Sequence, residues 1–140
     1  MVACANYMLD DIFLKEVLQE YNFIDESNNN DNAVWFDGFN NLFISKKKNV
    51  VLIYSYIDDK QIEIRKILND KSKKYKFNYN VVYYGFNDSF KTEELIMKSI
   101  NKTDIPVPGL YIVGSNKIID YIEIKSEEDI NKFLKKHKYT

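Results

Sequence analysis

The chain has 140 residues, 45% hydrophobic and 15% aromatic, with a formal net charge of −1. That is enough for one globular core and too short for two, and the hydrophobic content excludes intrinsic disorder. The balanced charge gives no summed field to attract nucleic acid or a membrane surface, so neither is expected as a partner. Lysine clusters at 46–48, 71–76 and 132–138 are offset by Asp and Glu and read as solvated faces. The single cysteine, Cys4, excludes an internal disulfide and a four-cysteine zinc site. The N-terminus meets Asp10 and Asp11 too early for a signal peptide, and no run of about 18 apolar residues exists to span a bilayer. A cytoplasmic, intracellular protein is expected.

Leu9, Ile12, Phe13, Val17 and Tyr21 fall at helical spacing behind the possible caps Asp10 and Asp11. The polar run "DESNNNDN", residues 25–32, has nothing to bury and is expected to be a mobile loop. Trp35, Phe39, Leu42 and Phe43 repeat near a helical period, predicting a short helix over 35–45. Residues 50–56 are apolar without alternation, as in a parallel strand covered on both faces. A helix follows, with Ile64, Ile67, Leu68 and Tyr75 as its expected buried face and Lys66, Asp70 and Lys73 turned away.

The next strand is expected over 79–86, completing a right-handed βαβ unit. Asn87 or Asp88 would cap a further helix with Phe90, Leu95 and Ile96 inward, ended by the prolines of "DIPVPG". "GLYIV" and "KIIDYIEI" flank Gly114-Ser115-Asn116, a hairpin turn composition. Ser126 and Asp129 have capping-box spacing before a helix docked by Ile130, Phe133 and Leu134. Tyr54, Tyr56, Tyr83 and Tyr84 are expected in the core rather than on a base-stacking surface. His137 is expected at an exposed helix end.

From residue 50 the order is strand, helix, strand, helix, hairpin, helix, with Pro108 directly before the first hairpin strand. In "VVLIYSYIDDKQIEIRKIL" and "IPVPGLYIVGSNKIIDYIEI" this resembles the thioredoxin fold, glutaredoxins included, over roughly the last two-thirds of the chain. The resemblance implies a three-layer α/β fold: a mixed sheet of four to five strands flanked by helices. Residues 35–140 would form that domain, preceded by an N-terminal helix and Asn-rich loop over 1–34.

In that family a C-x-x-C turn opens the helix after the central strand and faces a cis-proline. Here the turn is Ile57-Asp58-Asp59-Lys60-Gln61. One alignment puts Asp58 and Gln61 at the cysteine positions; another puts Asp59 and Ile62 there. Neither supplies a thiol, and the family's buried acid falls at Leu52 or Ile53. A carboxylate gains the same electrostatic benefit from a helix N-terminus as a thiolate but cannot exchange a disulfide. No catalytic residue, cofactor or metal is therefore expected, with the adjacent Asp58 and Asp59 serving to cap and solvate the helix. The resemblance makes Pro108, rather than Pro106, the cis-proline, and with Val107 and residues 57–61 it would form a groove for a protein or peptide. Two other functions compete: a glutathione-binding protein or glutathione-dependent enzyme without its own thiol, and a structural subunit of a complex. The acids beside Lys60 would repel the carboxylates of glutathione.

Overall fold

The computed structural model describes residues 31–85 and 88–140. Cys4 and the helix expected around residues 9–21 lie outside the described residues. Five strands form one mixed sheet in the order β1-β3-β2-β4-β5: β1 (Asp31–Trp35), β2 (Asn49–Tyr54), β3 (Tyr79–Tyr83), β4 (Gly109–Gly114) and β5 (Lys117–Glu123). β1, β3 and β2 are mutually parallel, while β4 runs antiparallel to both β2 and β5. The helices are α1 (Phe39–Ile44), α2 (Asp59–Tyr75), α3 (Phe90–Ile100) and α4 (Glu127–Lys136).

β2 shows why its sequence lacks alternation. Val50, Leu52 and Tyr54 pack into a core with Ile62 and Leu68 of α2 and Ile130, Phe133 and Leu134 of α4. Val51 and Ile53 point the other way, toward Phe39 and Phe43 of α1 and Ile96 of α3. Successive side chains of a strand alternate between faces, so a strand covered on both sides must be apolar at every position. The hairpin closes through Ser115 and Asn116, both at positive φ (52° and 62°), as the favoured two-residue turn requires. Ser126 and Asp129 form the reciprocal capping box that starts α4.

Several expectations are corrected. Trp35 does not begin a helix: it ends β1, whose five residues pair with β3, and a 3-10 turn (Phe36–Gly38) leads into α1. The aromatic spacing that suggested a helix from 35 belongs to Phe36, Phe39 and Phe43, all buried, and the polar run ends in Asp31 and Asn32 of that strand. β3 stops at Tyr83, although the Tyr84 N–H still donates to the Tyr54 carbonyl at 3.0 Å. In α3 the buried positions are Thr92 and Ile96, while Phe90 is 72% exposed. Thr92 is accommodated because its hydroxyl donates to Asp37 and accepts from the Asn40 amide, each at 3.1 Å. The residue before α3 is Ser89; the Asp88 carboxylate accepts from the Gly85 N–H instead.

A further correction concerns α2. Its buried face is Ile62, Arg65, Leu68, Asn69 and Ser72, with Ile64 and Ile67 at its margins and Tyr75 exposed. Arg65, the only arginine in the sequence, is 1% exposed. Its guanidinium donates to the hydroxyls of Tyr54 (2.9 Å) and Tyr83 (2.6 Å) and lies 5.6 and 5.4 Å from their ring centres. Those hydroxyls and ring faces replace part of the solvation that burial removes.

Asp120 of β5 ties down the end of α4. Its Oδ2 is 2.9 Å from Lys136 Nζ and 2.7 Å from His137 Nε2, so His137 is a half-buried tether rather than an exposed helix end. Burial pushes the Asp120 carboxyl upward, but hydrogen bonds from Lys136 and His137 outweigh it and hold the group below its ordinary value.

Two measurements check these contacts. Arg65→Ala should destabilise the fold by about 2–4 kcal/mol in urea denaturation, and Arg65→Lys should recover only part of it, because an ammonium lacks the planar guanidinium that lies over both tyrosine rings. A loss below about 0.5 kcal/mol would contradict the role given to Arg65. For Asp120, the folded pKa is depressed. Its contribution is therefore present above the unfolded carboxyl value of about 3.9 and lost as pH falls through the folded value. Asp120→Asn should be less stable than wild type near pH 6.5, by roughly 1 kcal/mol or less. The two stability curves should converge as the solution is acidified below about pH 4.

Candidate functional site

β2 ends at Tyr54 and α2 begins at Asp59, leaving four residues to reverse the chain. The first turn of any helix has backbone N–H groups without helical partners. Asp58 meets that need: it is extended (φ −106°, ψ 116°), and its Oδ1 accepts from the N–H groups of Lys60 at 2.9 Å and Gln61 at 3.4 Å. The Gln61 side chain closes the turn from the other side. Its Oε1 accepts from the Ser55 N–H at 2.6 Å and its Nε2 donates to Asp58 Oδ2 at 3.5 Å. The Asp58 N–H in turn donates to the Ser55 carbonyl at 3.3 Å.

Of the two alignments of the turn, the structure places Asp58 at the cap and Gln61 beside it. Asp59 is the first helical residue, and Ile62 is buried in the core. Asp59 and Lys60 are exposed on the first turn, and Ile57 is 71% exposed despite its apolar side chain. Leu52 and Ile53 are both fully buried, so no carboxyl stands beneath the turn at either position.

Strand register brings the proline loop to the same end of the sheet. Ile53 pairs with Gly109 across β2 and β4, so Pro108 lies beyond the paired residues at the end where β2 gives way to its turn. The Val107–Pro108 peptide bond is cis. The Pro108 carbonyl accepts from the Ile124 N–H at 2.8 Å, and the Pro106 carbonyl accepts from the Tyr111 hydroxyl at 2.7 Å. Burial raises the Tyr111 phenol well above its ordinary value, so it stays protonated as that donor. Gly109 is required by close approach: a Cβ there would run into the Pro106 carbonyl oxygen. Val107 packs at the margin of the Val51–Ile53 side of the core. A cleft of about 440 Å³ beside this loop is lined by Asp104, Pro106, Tyr121 and their neighbours, and takes in neither residues 57–61 nor Val107 and Pro108.

Tyr54, Tyr56 and Tyr83 are buried as the sequence implies, but the arginine among them is not foreseen by it. Tyr56 stands edge-on to Tyr83 at 5.6 Å, Trp35 meets Tyr83 at 6.1 Å, and Arg65 reaches both Tyr54 and Tyr83. The available signal was a lone arginine, three residues from Ile62 and Leu68, in a chain whose other basic side chains are lysines and one histidine. The described residues contain no group of three or more His, Cys, Asp or Glu placed to hold a metal ion. None of their helices is long and apolar enough to cross a membrane.

No family model and no curated protein matches the chain. Its architecture is that of solved thioredoxins. It is similar to thioredoxin f2 of Chlamydomonas reinhardtii, with a TM-score of 0.57 and 13% identity over 78% of this chain and 97% of that one. Thioredoxin O2 of Arabidopsis thaliana superposes with a TM-score of 0.54 at 11% identity, over 77% and 94%. The thioredoxin of Fasciola hepatica gives 0.52 at 12% identity, over 76% and 98%. The protein is a divergent chain of thioredoxin-like fold whose only cysteine, Cys4, precedes the described residues and whose turn between β2 and α2 carries none.

Proposed function

We propose that this chain is a redox-inactive thioredoxin-like module that binds a protein or peptide partner at the end of the sheet carrying residues 57–61 and Val107–Pro108. The observation that carries the reading is the state of Asp58. It stands at the helix start, where the fold's redox relatives need a thiolate, and its carboxylate is engaged by two backbone amides and by Gln61. A carboxylate can cap the helix, but it has no sulfur with which to attack a disulfide. The turn is thus built to hold its shape.

Binding is favoured by what surrounds that turn. Ile57 and Phe90 are large apolar side chains, 71% and 72% exposed, and each follows the C-terminal end of a parallel strand. Apolar side chains left in water at that end would gain from burial against a partner's apolar surface. The loop opposite is braced by the Tyr111–Pro106 and Ile124–Pro108 hydrogen bonds. That limits the ordering cost a partner would meet. The exposed carboxylates of Asp58 and Asp59 disfavour an anionic ligand such as glutathione.

The chemistry is tested by turnover against a generic disulfide-bonded protein, with dithiothreitol as reductant. No acceleration over the uncatalysed rate is expected from either wild type or Cys4→Ser, and activity surviving Cys4→Ser would overturn the reading. Binding is tested by comparing proteins cross-linked to the wild-type chain and to Ile57→Asp; a partner common to both in equal yield contradicts the assigned surface.

A gain-of-function variant tests the geometry. In a Cys4→Ser background, Asp58→Cys with Gln61→Cys should close a reversible disulfide, because i and i+3 positions at a helix start fall within the roughly 4.4–6.8 Å Cα separation a disulfide accepts. Turnover should remain slow with Leu52 in place of a buried acid and Asp59 opposing the thiolate. Asp59→Cys with Ile62→Cys should not close, since Ile62 points into the core. Titration of both variants against a dithiol buffer distinguishes them, and closure of the second pair alone would contradict the placement of the turn.

A further inference from the structure

The opposite end of the sheet has a different chemistry, independent of the proposed peptide site. β2 and β3 are parallel, so their starts lie together at the end remote from Asp58. A cleft of about 530 Å³ opens there, within the size range of small-molecule sites. Lys47 and Lys48 line it from the segment before β2. Asn32 of β1, Asn49 of β2, and Asn78 and Asn80 at the start of β3 contribute four side-chain amides. Its apolar part includes Val50, Phe77 and Tyr139, the two rings meeting edge-to-face at 5.4 Å. Among the described residues, no carboxylate lines the cleft. Their ion pairs engage Lys71, Lys98, Lys125, Lys132 and Lys136, and neither Lys47 nor Lys48.

The two lysines are carried on a fixed backbone. The hairpin turn clamps the preceding segment: the Ser115 N–H donates to the Ser45 carbonyl at 2.6 Å and the Asn116 N–H to the Phe43 carbonyl at 2.8 Å. Gly114 comes so close that a Cβ there would lie 2.6 Å from the Lys47 carbonyl oxygen. From the other side, the Asn49 amide donates to the carbonyls of Lys47 (3.0 Å) and Leu42 (3.3 Å). Asn80 is likewise set by its donation to the Val50 carbonyl at 3.2 Å. Lys76 and Lys138 adjoin the lining residues Phe77 and Tyr139 in sequence.

We infer that this cleft binds a phosphorylated small molecule of nucleotide size, with its phosphate between Lys47 and Lys48 and its remainder against Tyr139 and the asparagine amides. Two lysines in a cleft that no described carboxylate lines suit a dianion, and lysine binds phosphate as a point charge. Asn32 and Asn78 offer amide donors and acceptors and the tyrosine a ring, both suited to a heterocycle. A net charge of −1 gives no long-range field for a polyanion, so the attraction is local and the ligand small.

The test titrates the full chain with pyrophosphate, adenosine monophosphate and a ten-nucleotide single strand, at low salt, by calorimetry and by backbone amide shifts. Adenosine monophosphate should bind saturably, perturb residues 47–50, 77–80 and 139, and leave residues 57–61 unmoved. Lys47→Gln with Lys48→Gln should weaken both phosphate probes at least about tenfold. Tyr139→Ala should weaken the nucleotide but not pyrophosphate, and Asp58→Ala should change neither. Failure of either phosphate probe to saturate, or affinity insensitive to both lysine substitutions, would overturn the proposal. So would a single strand binding more than about tenfold tighter than the mononucleotide, since that is the behaviour of a polymer track.

Discussion

Burial of β2 on both faces is the constraint on which the rest of the molecule depends. Each residue from Val50 to Tyr54 is at most 4% exposed, and the strand is hydrogen-bonded on both edges, to β3 and β4. A strand with no solvent face must receive helices above and below. α2 and α4 cover one side, α1 and α3 the other. Because β2 and β3 are parallel, the chain between them has to cross from one end of the sheet to the other, and α2 is that crossover. Its start is thereby fixed at the C-terminal end of β2, with unpaired amide groups that something must satisfy.

What satisfies them decides what the site can do. A thiol there would have its pKa lowered by the same amides, raising the fraction present as reactive thiolate. Asp58 uses them for capping, and Gln61 joins the cap to the end of β2. The scaffold around the turn is kept: the Val107–Pro108 bond is cis, Gly109 is held tightly under Pro106, and Tyr111 braces the loop. A thioredoxin-like frame surrounds a turn whose groups are mutually satisfied.

The sequence made β2, the crossover, the hairpin and the capping box legible because each follows from a local rule: an unbroken apolar run, a helical period, a turn composition, a four-residue spacing. Asp58 was visible as an acid at a helix start, though two alignments remained open until burial of Ile62 placed the cap. β1 was not legible. Its five residues, Asp31–Trp35, emerge from an asparagine-rich run and acquire strand character only by pairing with β3, a contact about 48 residues away in sequence. Arg65 and Thr92 were missed for a related reason. Hydrophobic periodicity assigns polar residues to the outside, whereas these two are buried by partners on other elements, Tyr54 and Tyr83 for one and Asp37 and Asn40 for the other.

The central claim is that the Asp58 carboxylate cap organises the turn at the end of β2. Amide hydrogen exchange in wild type and Asp58→Ala tests it most directly. With the carboxylate gone, the Lys60 and Gln61 amides should lose protection by about the 0.5–2 kcal/mol that a helix cap contributes, while the amides of β2 stay among the slowest in the chain. Unchanged protection at Lys60 and Gln61 would contradict the account.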